Sequence, residues 1–234
     1  QKNIPLFNGL NMNIPHGTSI GLVGDTGSGK TTIAKLLLRL YDLHDGNIYL
    51  GNHSISSLKI DYLREKIGIV SQESFLFDAS IYDNVTYGIT NPTDSEVNEA
   101  IEKSQCKEFI DKLPHGLDTV VGERGQILSG GQRQRISIAR TLIRQPEVII
   151  FDEATSAVDN KTEQLIQKAI YEIIKNRTSI IIAHRLSTIR NCQNIFVLNN
   201  GRIIEEGNHD FLINQKESYY SKLWNIQTGN LSEY

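Results

Sequence analysis

The chain has 234 residues, of which 39% are hydrophobic and 22% charged, and its formal net charge is −3. This composition excludes a wholly disordered chain and a generally polybasic nucleic-acid arm. The two cysteines, Cys106 and Cys192, lack CxxC spacing, which favours reduced thiols over a disulfide framework or a zinc site. No apolar run in the sequence approaches the roughly 18 residues of a membrane helix. Because the chain starts at Gln1 without a charged-then-apolar leader, we expect a piece of a longer polypeptide.

The first seventy residues combine strand-like apolar runs, a glycine-rich turn and a segment of helical periodicity. Ile33, Leu36, Leu37 and Leu40 recur at spacings of three and four, which indicates an amphipathic helix. In chain order we predict a strand, a turn, a helix, the first arm of a small antiparallel hairpin and a second strand at Thr18–Val23, Gly24–Gly29, Thr32–Leu40, Asn47–Leu50 and Ile67–Val70.

The middle of the chain has few strand signals, and the last third alternates strand and helix signals. Three helices are predicted in the middle, at Ile81–Tyr87, Asp94–Ile110 and Gly131–Arg144. The later elements are predicted at Val148–Phe151, Lys161–Ile174, Ser179–Ala183, Asn194–Leu198 and Arg202–Glu205, with polar helices at the end. We therefore expect one domain, with an α/β core of mainly parallel sheet at about 1–78 and 145–234 and an inserted helical subdomain at about 79–144.

A phosphate-binding motif follows the first predicted strand. Residues 24–31 match G-x-x-x-x-G-K-[ST] between a strand and a helix, the context that this motif requires. Glycines let backbone N–H groups turn toward phosphate oxygens, and the helix start adds its positive dipole end. Lys30 can reach the β- and γ-phosphates, and the Thr31 hydroxyl can coordinate Mg²⁺. The predicted nucleotide-binding residues are Gly24, Asp25, Thr26, Gly27, Ser28, Gly29, Lys30, Thr31 and Thr32.

An apolar strand that ends in two acids supplies the second motif. Val148–Phe151 is followed by Asp152 and Glu153. At the carboxyl end of a parallel strand, Asp152 would face the phosphate crevice and hold Mg²⁺ directly or through water. Glu153 could orient and deprotonate the attacking water. Taken alone, the pair could equally be an acidic cap of the next helix.

A third motif, Leu128-Ser129-Gly130-Gly131-Gln132, stands at the start of an amphipathic helix. Together with the phosphate loop and the acidic strand, it resembles the signature of the ATP-binding-cassette (ABC) ATPases. The resemblance covers nearly the whole chain. It implies the P-loop NTPase fold, ATP as the substrate and Mg²⁺ as the cofactor. It also implies a head-to-tail dimer that sandwiches two ATP molecules, with Ser129, Gly130, Gly131 and Gln132 reaching the partner's nucleotide.

Three further positions take family roles through the same resemblance. Gln72 looks like the Q-loop glutamine, which contacts Mg²⁺ and water and links to the membrane domain. Asp159, in Ser156–Asp159, resembles the D-loop residue that crosses the dimer interface. His184 resembles the switch histidine that contacts the γ-phosphate and helps to hold Glu153. Each residue alone would be better explained as an ordinary loop or capping side chain, so the assignments depend on the set.

Two segments resemble those of exporters within the family. Thr119–Gly125 is similar to the loop before the signature that touches coupling helices, and Ser71–Phe77 followed by Ser80–Val85 is similar to the exporter Q-loop region. The resemblance implies ATP hydrolysis that powers export, with no nucleic-acid partner. Its implied partners are a second nucleotide-binding domain and a transmembrane domain fused upstream of Gln1. The domain would then lie at the cytoplasmic face of a membrane.

One family feature is missing from the sequence. The family's adenine-stacking aromatic residue should precede Ile4–Phe7, and no aromatic residue stands before Phe7.

Two other functions lack their sequence signals. A soluble DNA-repair or chromosome ATPase of the same superfamily would carry a long coiled coil, and sustained heptads are absent from the sequence. A GTP-binding switch would carry Asn-Lys-x-Asp, whereas Asn160 and Lys161 are followed by Thr162 and Glu163.

Overall fold

A mainly parallel sheet forms the centre of the computed structural model, which describes residues 5–154, 160–175, 177–183 and 185–229. Its order is β4-β5-β6-β1-β7-β8, and β8 alone among them runs antiparallel to its neighbour, β7. A separate antiparallel pair joins β2 and β3. In chain order the strands are β1 (Ser19–Gly24), β2 (Tyr49–Leu50), β3 (His53–Ser54), β4 (Ile67–Val70), β5 (Val148–Asp152), β6 (Thr178–Ile182), β7 (Asn194–Asn199) and β8 (Arg202–Gly207).

Helices cover the sheet and fill the segment between β4 and β5. In chain order they are α1 (Lys30–Leu37), α2 (Ile60–Lys66), α3 (Ile81–Val85), α4 (Asp94–Lys103), α5 (Lys107–Ile110), α6 (Gly130–Leu142), α7 (Asn160–Ile174), α8 (His209–Asn214) and α9 (Tyr219–Thr228). The predicted α/β fold, with its parallel sheet and small antiparallel pair, is confirmed. In the described part of the chain, no helix has the length and apolar character needed to cross a membrane.

The apolar core lies on both faces of the sheet because side chains alternate along each strand. On β5, Ile149 and Phe151 join the cluster that contains α3, α4, α6 and α7 residues, whereas Val148 and Ile150 join the cluster under α1. All four of these side chains are buried. A strand buried on both faces reads as a continuous apolar run, which is why β5 was visible in the sequence.

Three helices depart most from the sequence predictions. The predicted helix Asp94–Ile110 is divided into α4 and α5, because Gln105 adopts a left-handed backbone with φ of 58° and cannot continue a helix. The first helix starts at Lys30 rather than Thr32 and ends at Leu37, shortly before Arg39 at φ of 48°. The short helix α2 was not predicted, because it is mostly polar and Leu63 is its one buried residue.

The strand register brings the carboxyl ends of four strands to one edge of the sheet. Val70 of β4 pairs with Phe151 of β5, Asp152 of β5 pairs with Ile182 of β6, and Ile182 pairs in turn with Leu22 of β1. The loops that leave these strands therefore start at nearly the same level. In open parallel sheets, ligands bind outside this edge.

Candidate nucleotide-binding site

The loop between β1 and α1 has a backbone that requires glycine at two positions. Gly24 has φ of 147°, and a Cβ atom there would lie 1.9 Å from the backbone oxygen of Leu198. Gly29, the residue before α1, has φ of 108°, and its Cβ would lie 2.5 Å from the Phe7 ring. Any side chain at either position would force the loop away from the sheet or from residues 6–7. Both glycines are therefore needed for the observed shape of the loop.

Lys30 is held inside this loop. Its side chain is 6% exposed, and its Nζ atom donates hydrogen bonds to the backbone oxygens of Gly24 (2.8 Å) and Asp25 (2.9 Å). Burial lowers the pKa of Lys30, and the negative charges of Glu153, Asp25 and Asp152 partly oppose that effect. The ammonium group of Lys30 is thus buried and held by two carbonyl oxygens. A positive charge that is desolvated and oriented in this way suits an anion.

Thr31 and Asp152 connect the loop to β5. The Thr31 hydroxyl donates to Asp152 Oδ1 at 3.3 Å, and Asp152 is 9% exposed. Burial raises the pKa of Asp152, and the neighbouring negative charge of Glu153 raises it further. The positive charge of Lys35, one helical turn after Thr31, lowers the pKa of Asp152. Lys35 was missed in the sequence, although its i+4 spacing from Thr31 places it on the same helix face.

The donors at this point fit Mg²⁺. A hydroxyl and a carboxylate are hard oxygen ligands of the kind that the ion prefers. Among the described residues, no group of three or more His, Cys, Asp and Glu side chains is placed to hold a metal ion. Thr31 and Asp152 therefore fit an Mg²⁺ that keeps water and phosphate oxygens as its other ligands.

Glu153 occupies an unusual backbone conformation at the end of β5. Its φ is 53°, a left-handed value that costs energy for a residue other than glycine, and its N–H donates to Ile182 O at 2.9 Å. Such strain is found where the surrounding structure imposes it, often at functional sites. Extending the β4–β5 register beyond Val70 and Phe151 places Gln72 level with Glu153. The predicted Q-loop glutamine and the predicted base thus leave neighbouring strands at the same edge.

The signature segment forms the N-terminus of α6. The Ser129 hydroxyl accepts from the N–H of Gln132 at 3.3 Å, and Gln132 Oε1 accepts from the N–H of Ser129 at 2.8 Å, which together form a capping box. Ser129 and Gly130 are exposed, whereas Gly131 is buried. The first N–H groups of a helix have no intrahelical partner, and exposed helix starts of this kind suit anions.

The same helix is bonded to the segment after β4. Gln134 Nε2 donates to Ser71 O at 3.1 Å, and the Arg140 guanidinium donates to Phe75 O at 2.8 Å and to Asn84 O at 2.7 Å. These bonds span more than fifty residues of sequence. Hydrogen bonds therefore connect α6 directly to the segment 71–75, which contains Gln72.

The predicted site residues fall into three groups in the structure. The loop residues, Asp152 and Glu153 meet at one edge of the sheet, and Gln72 follows the neighbouring strand. The signature residues lie at the start of α6, where the hydrogen bonds of Ser129 and Gln132 close a local capping box. The D-loop Asp159 and the switch histidine His184 lie outside the described residues. One contact was not foreseen: the Tyr219 hydroxyl on α9 donates to the Asp25 carboxylate.

Comparisons with known proteins give a consistent family. A family model described as "ABC transporter" matches residues 7–156. The chain is 46% identical over 229 residues to an ATP-dependent lipid A-core flippase of Photorhabdus laumondii, covering 97% of this chain and 39% of that protein. It is 44% identical to a mitochondrial iron-sulfur clusters transporter ATM1 of Debaryomyces hansenii, covering 98% of this chain and 34% of that protein.

A solved structure agrees with these relatives. The structure of a bacterial Atm1-family ABC exporter with ATP bound superposes with a TM-score of 0.90 at 41% identity, covering 97% of this chain and 40% of that one. The chain thus spans well under half the length of these relatives. The predicted resemblance to exporter-type nucleotide-binding domains, and with it the ATPase class of the family, is confirmed. The chain belongs to the ABC transporter family.

Proposed function

We propose that this domain binds ATP with Mg²⁺ and hydrolyses it to drive export through a membrane partner. The observation that carries the proposal is the cluster of Lys30, Thr31 and Asp152 at the carboxyl edge of the sheet. It combines a buried ammonium group held by loop carbonyls with a hydroxyl 3.3 Å from a buried carboxylate. Relatives whose names include "ATP-dependent" and "transporter" support the same activity.

The residues of this chain supply positioning and proton transfer. Lys30 and the N–H groups of the loop hold the β- and γ-phosphates, which fixes the γ-phosphorus in front of Glu153. The Glu153 carboxylate accepts the proton of the attacking water, and Gln72 and His184 orient that water, as the family resemblance implies. Bound Mg²⁺, held by Thr31 and Asp152 with Gln72 nearby, would neutralise phosphate charge.

A second copy of the domain would complete each site. Ser129 and Gly130 are exposed at the start of α6, where the Ser129 hydroxyl and the first helical N–H groups, of Gly130 and Gly131, suit the γ-phosphate bound to a partner's loop. In a head-to-tail dimer, Ser129, Gly130, Gly131, Gln132 and Asp159 would contact the partner's nucleotide. Two ATP molecules would then lie between two domains, each contacted by both.

The two exporter-like segments support a transmembrane partner. They are adjacent in the structure: Ile81 N–H donates to Thr119 O at 3.0 Å, and Val121 N–H donates to Ala79 O at 3.0 Å. Close by, three exposed aromatic rings form a cluster, with centroid distances of 5.2 Å for Phe75–Phe77 and 4.5 Å for Phe77–Tyr87. An exposed aromatic surface of this kind fits a helix from another domain. We place the domain at the cytoplasmic face of its membrane.

Phosphate release tests the activity directly. The chain should release phosphate from ATP in the presence of Mg²⁺, and chelation of Mg²⁺ should abolish the release. GTP provides a control for the alternative of a GTP-binding switch. Failure to bind Mg²⁺-ATP in calorimetry at millimolar concentration would contradict the proposal, whereas a strong preference for GTP would support the alternative.

A further inference from the structure

The phosphate loop contains an acidic residue, Asp25, immediately after Gly24. A carboxylate beside a phosphate site opposes binding, because like charges a few ångströms apart repel even in water. Asp25 also acts on the machinery itself, since its negative charge raises the pKa of Lys30 against the effect of burial. Where this carboxylate points, and what neutralises it, therefore bears on how well the loop accepts phosphate.

The partner of Asp25 comes from the other end of the chain. The Tyr219 hydroxyl donates a hydrogen bond to the Asp25 carboxylate across 194 residues of sequence. A tyrosine hydroxyl is protonated at neutral pH and can donate, and this bond raises the pKa of Tyr219 further, to about 12. The Tyr219 ring is half-buried against the larger core cluster. Its hydroxyl is therefore held in place rather than carried on a freely rotating side chain.

A second carboxylate fixes the helix that carries Tyr219. Glu205 of β8 accepts hydrogen bonds from the Ser218 hydroxyl (2.9 Å) and the Tyr220 N–H (3.0 Å), and also from the Tyr219 N–H. Three donors at the start of α9 thus converge on one side chain, which favours the N-terminus of a helix electrostatically as well. The next residue, Tyr220, is fully buried, and its hydroxyl bonds to His209 Nδ1 at 2.9 Å.

The sheet places this anchor beside the phosphate loop. Gly24 at the end of β1 pairs with Leu198 of β7, and Val197 of β7 pairs with Glu205 of β8. Glu205 is therefore two strands from the start of the loop and at nearly the same level. Glu205 is linked to Asp25 in two steps. Its carboxylate accepts hydrogen bonds from the start of α9, and the half-buried Tyr219 on that helix donates its hydroxyl hydrogen bond to Asp25.

From this arrangement we propose that Tyr219 is a positioning residue for nucleotide binding. Held by Glu205, it ties the Asp25 carboxylate to α9 and keeps that charge away from the phosphate position, so that Lys30 is left to the phosphates. The inference rests on the proposed binding of ATP by this loop. It makes the C-terminal helix part of the support of the phosphate site, although α9 contributes no residue to the nucleotide contacts.

The test compares Tyr219→Phe with the wild-type chain in calorimetry, using Mg²⁺-ATP and, separately, Mg²⁺-tripolyphosphate. The second probe has no adenine and reports on the phosphate loop alone. Tyr219→Phe keeps the packed ring and removes only the hydroxyl. We expect affinity for both probes to fall by the same factor, about threefold to tenfold. The maximal hydrolysis rate at saturating ATP should change by less than about twofold, because Glu153 and Lys30 are intact.

A double-mutant cycle separates positioning from general loss of structure. In an Asp25→Asn background no carboxylate needs to be restrained, so Tyr219→Phe should have less than about a twofold further effect. Tyr62→Phe, which removes an exposed hydroxyl on α2, is the matched control and should leave both affinities unchanged. Glu205→Gln, which weakens the anchor, should lower affinity in the same direction as Tyr219→Phe.

Each outcome has one meaning. If wild-type chain binds neither probe, the proposed function fails. If wild type binds and Tyr219→Phe binds equally well, the positioning role is wrong while ATP binding stands. If Tyr219→Phe lowers affinity by the same factor with and without Asp25→Asn, the hydroxyl does not act through Asp25 and the inference is overturned.

Discussion

The phosphate loop and the signature segment are both helix starts built for anions, yet the chain treats them differently. The loop before α1 contains a buried lysine held by carbonyl oxygens and packs against β7 and residues 6–7. The start of α6 is exposed and is satisfied locally by its own capping box. We propose that the first region is a phosphate site formed within one chain. The second presents the Ser129 hydroxyl and the first N–H groups of α6 at the surface, as a composite site between two copies would require.

The two regions would therefore have different roles. The loop would bind the phosphates, and the signature segment would respond to a second chain. Before ATP binds, Lys30 of the loop and Asp152 of β5 are already buried, which lowers the pKa of Lys30 and raises the pKa of Asp152. The signature segment, Leu128–Gln132, carries no buried charge. We expect its electrostatic environment to change little until a second domain approaches. Substitutions in the loop should therefore affect one chain by itself, whereas substitutions in the signature should affect only the dimer.

The largest effect is expected from Glu153→Gln. The amide keeps the size of the carboxylate but cannot accept a proton, so the hydrolysis rate should fall by about 10²–10⁴-fold. Lys30, Thr31 and Asp152 are unchanged, so ATP binding in calorimetry should stay within about threefold of wild type. Wild-type turnover in a phosphate-release assay would show that Glu153 is not the base.

The next largest effect should come from Lys30→Ala. Loss of the charge-assisted bonds to phosphate should weaken Mg²⁺-ATP binding about 10-fold to 100-fold, because the triphosphate loses its main counter-charge. A matched change outside the loop, Lys59→Ala at an exposed position before α2, should leave binding unchanged. Normal affinity in the Lys30 variant would refute the assignment of the phosphate loop.

Ser129→Ala tests the other half of the comparison. ATP binding to a single chain should be unaffected, while the rate of hydrolysis at high protein concentration should fall about tenfold. Thr93→Ala removes the same kind of capping box from α4 and costs about 1 kcal/mol of helix stability without touching the site. A similar loss of activity in both variants would mean that Ser129 only caps its helix.

The smallest effect concerns stability and pH. Burial raises the pKa of Asp152 in the folded chain, so its ionised form destabilises the fold near neutral pH. Asp152→Asn should therefore increase the free energy of unfolding at pH 7 without nucleotide. The gain should shrink as the pH falls from 7 toward about 4, because the raised pKa lets the wild-type carboxyl take up its proton within this range. Urea unfolding at both pH values measures this, and a gain that is independent of pH would contradict it.

The sequence predicted those parts of the site whose signal is local. The phosphate loop, the acidic pair at the end of β5 and the start of α6 each lie within eight consecutive residues. The strand order was not predicted, because parallel pairing depends on contacts far apart in the chain. Gln105 and Glu153 have positive φ values that their residue types do not suggest.

Long-range side-chain contacts were also beyond the sequence. Nothing near Tyr219 or Asp25 marks them as partners, since their contact depends on β7 and β8 bringing the two ends of the chain together. The Gln134 bond to Ser71 and the Arg140 bond to Phe75 are similar cases. The roles given to Asp159 and His184 stay predictions from the family resemblance.

The central claim is that each ATP site is completed by a second chain, and the mass of the ATP-bound protein tests it most directly. Light scattering after size-exclusion chromatography should give twice the chain mass of 26.3 kDa for Glu153→Gln with Mg²⁺-ATP. Without nucleotide, or with Ser129→Arg added, the mass should return to that of one chain. A Glu153→Gln protein that binds ATP yet stays at 26.3 kDa at high concentration would contradict the claim.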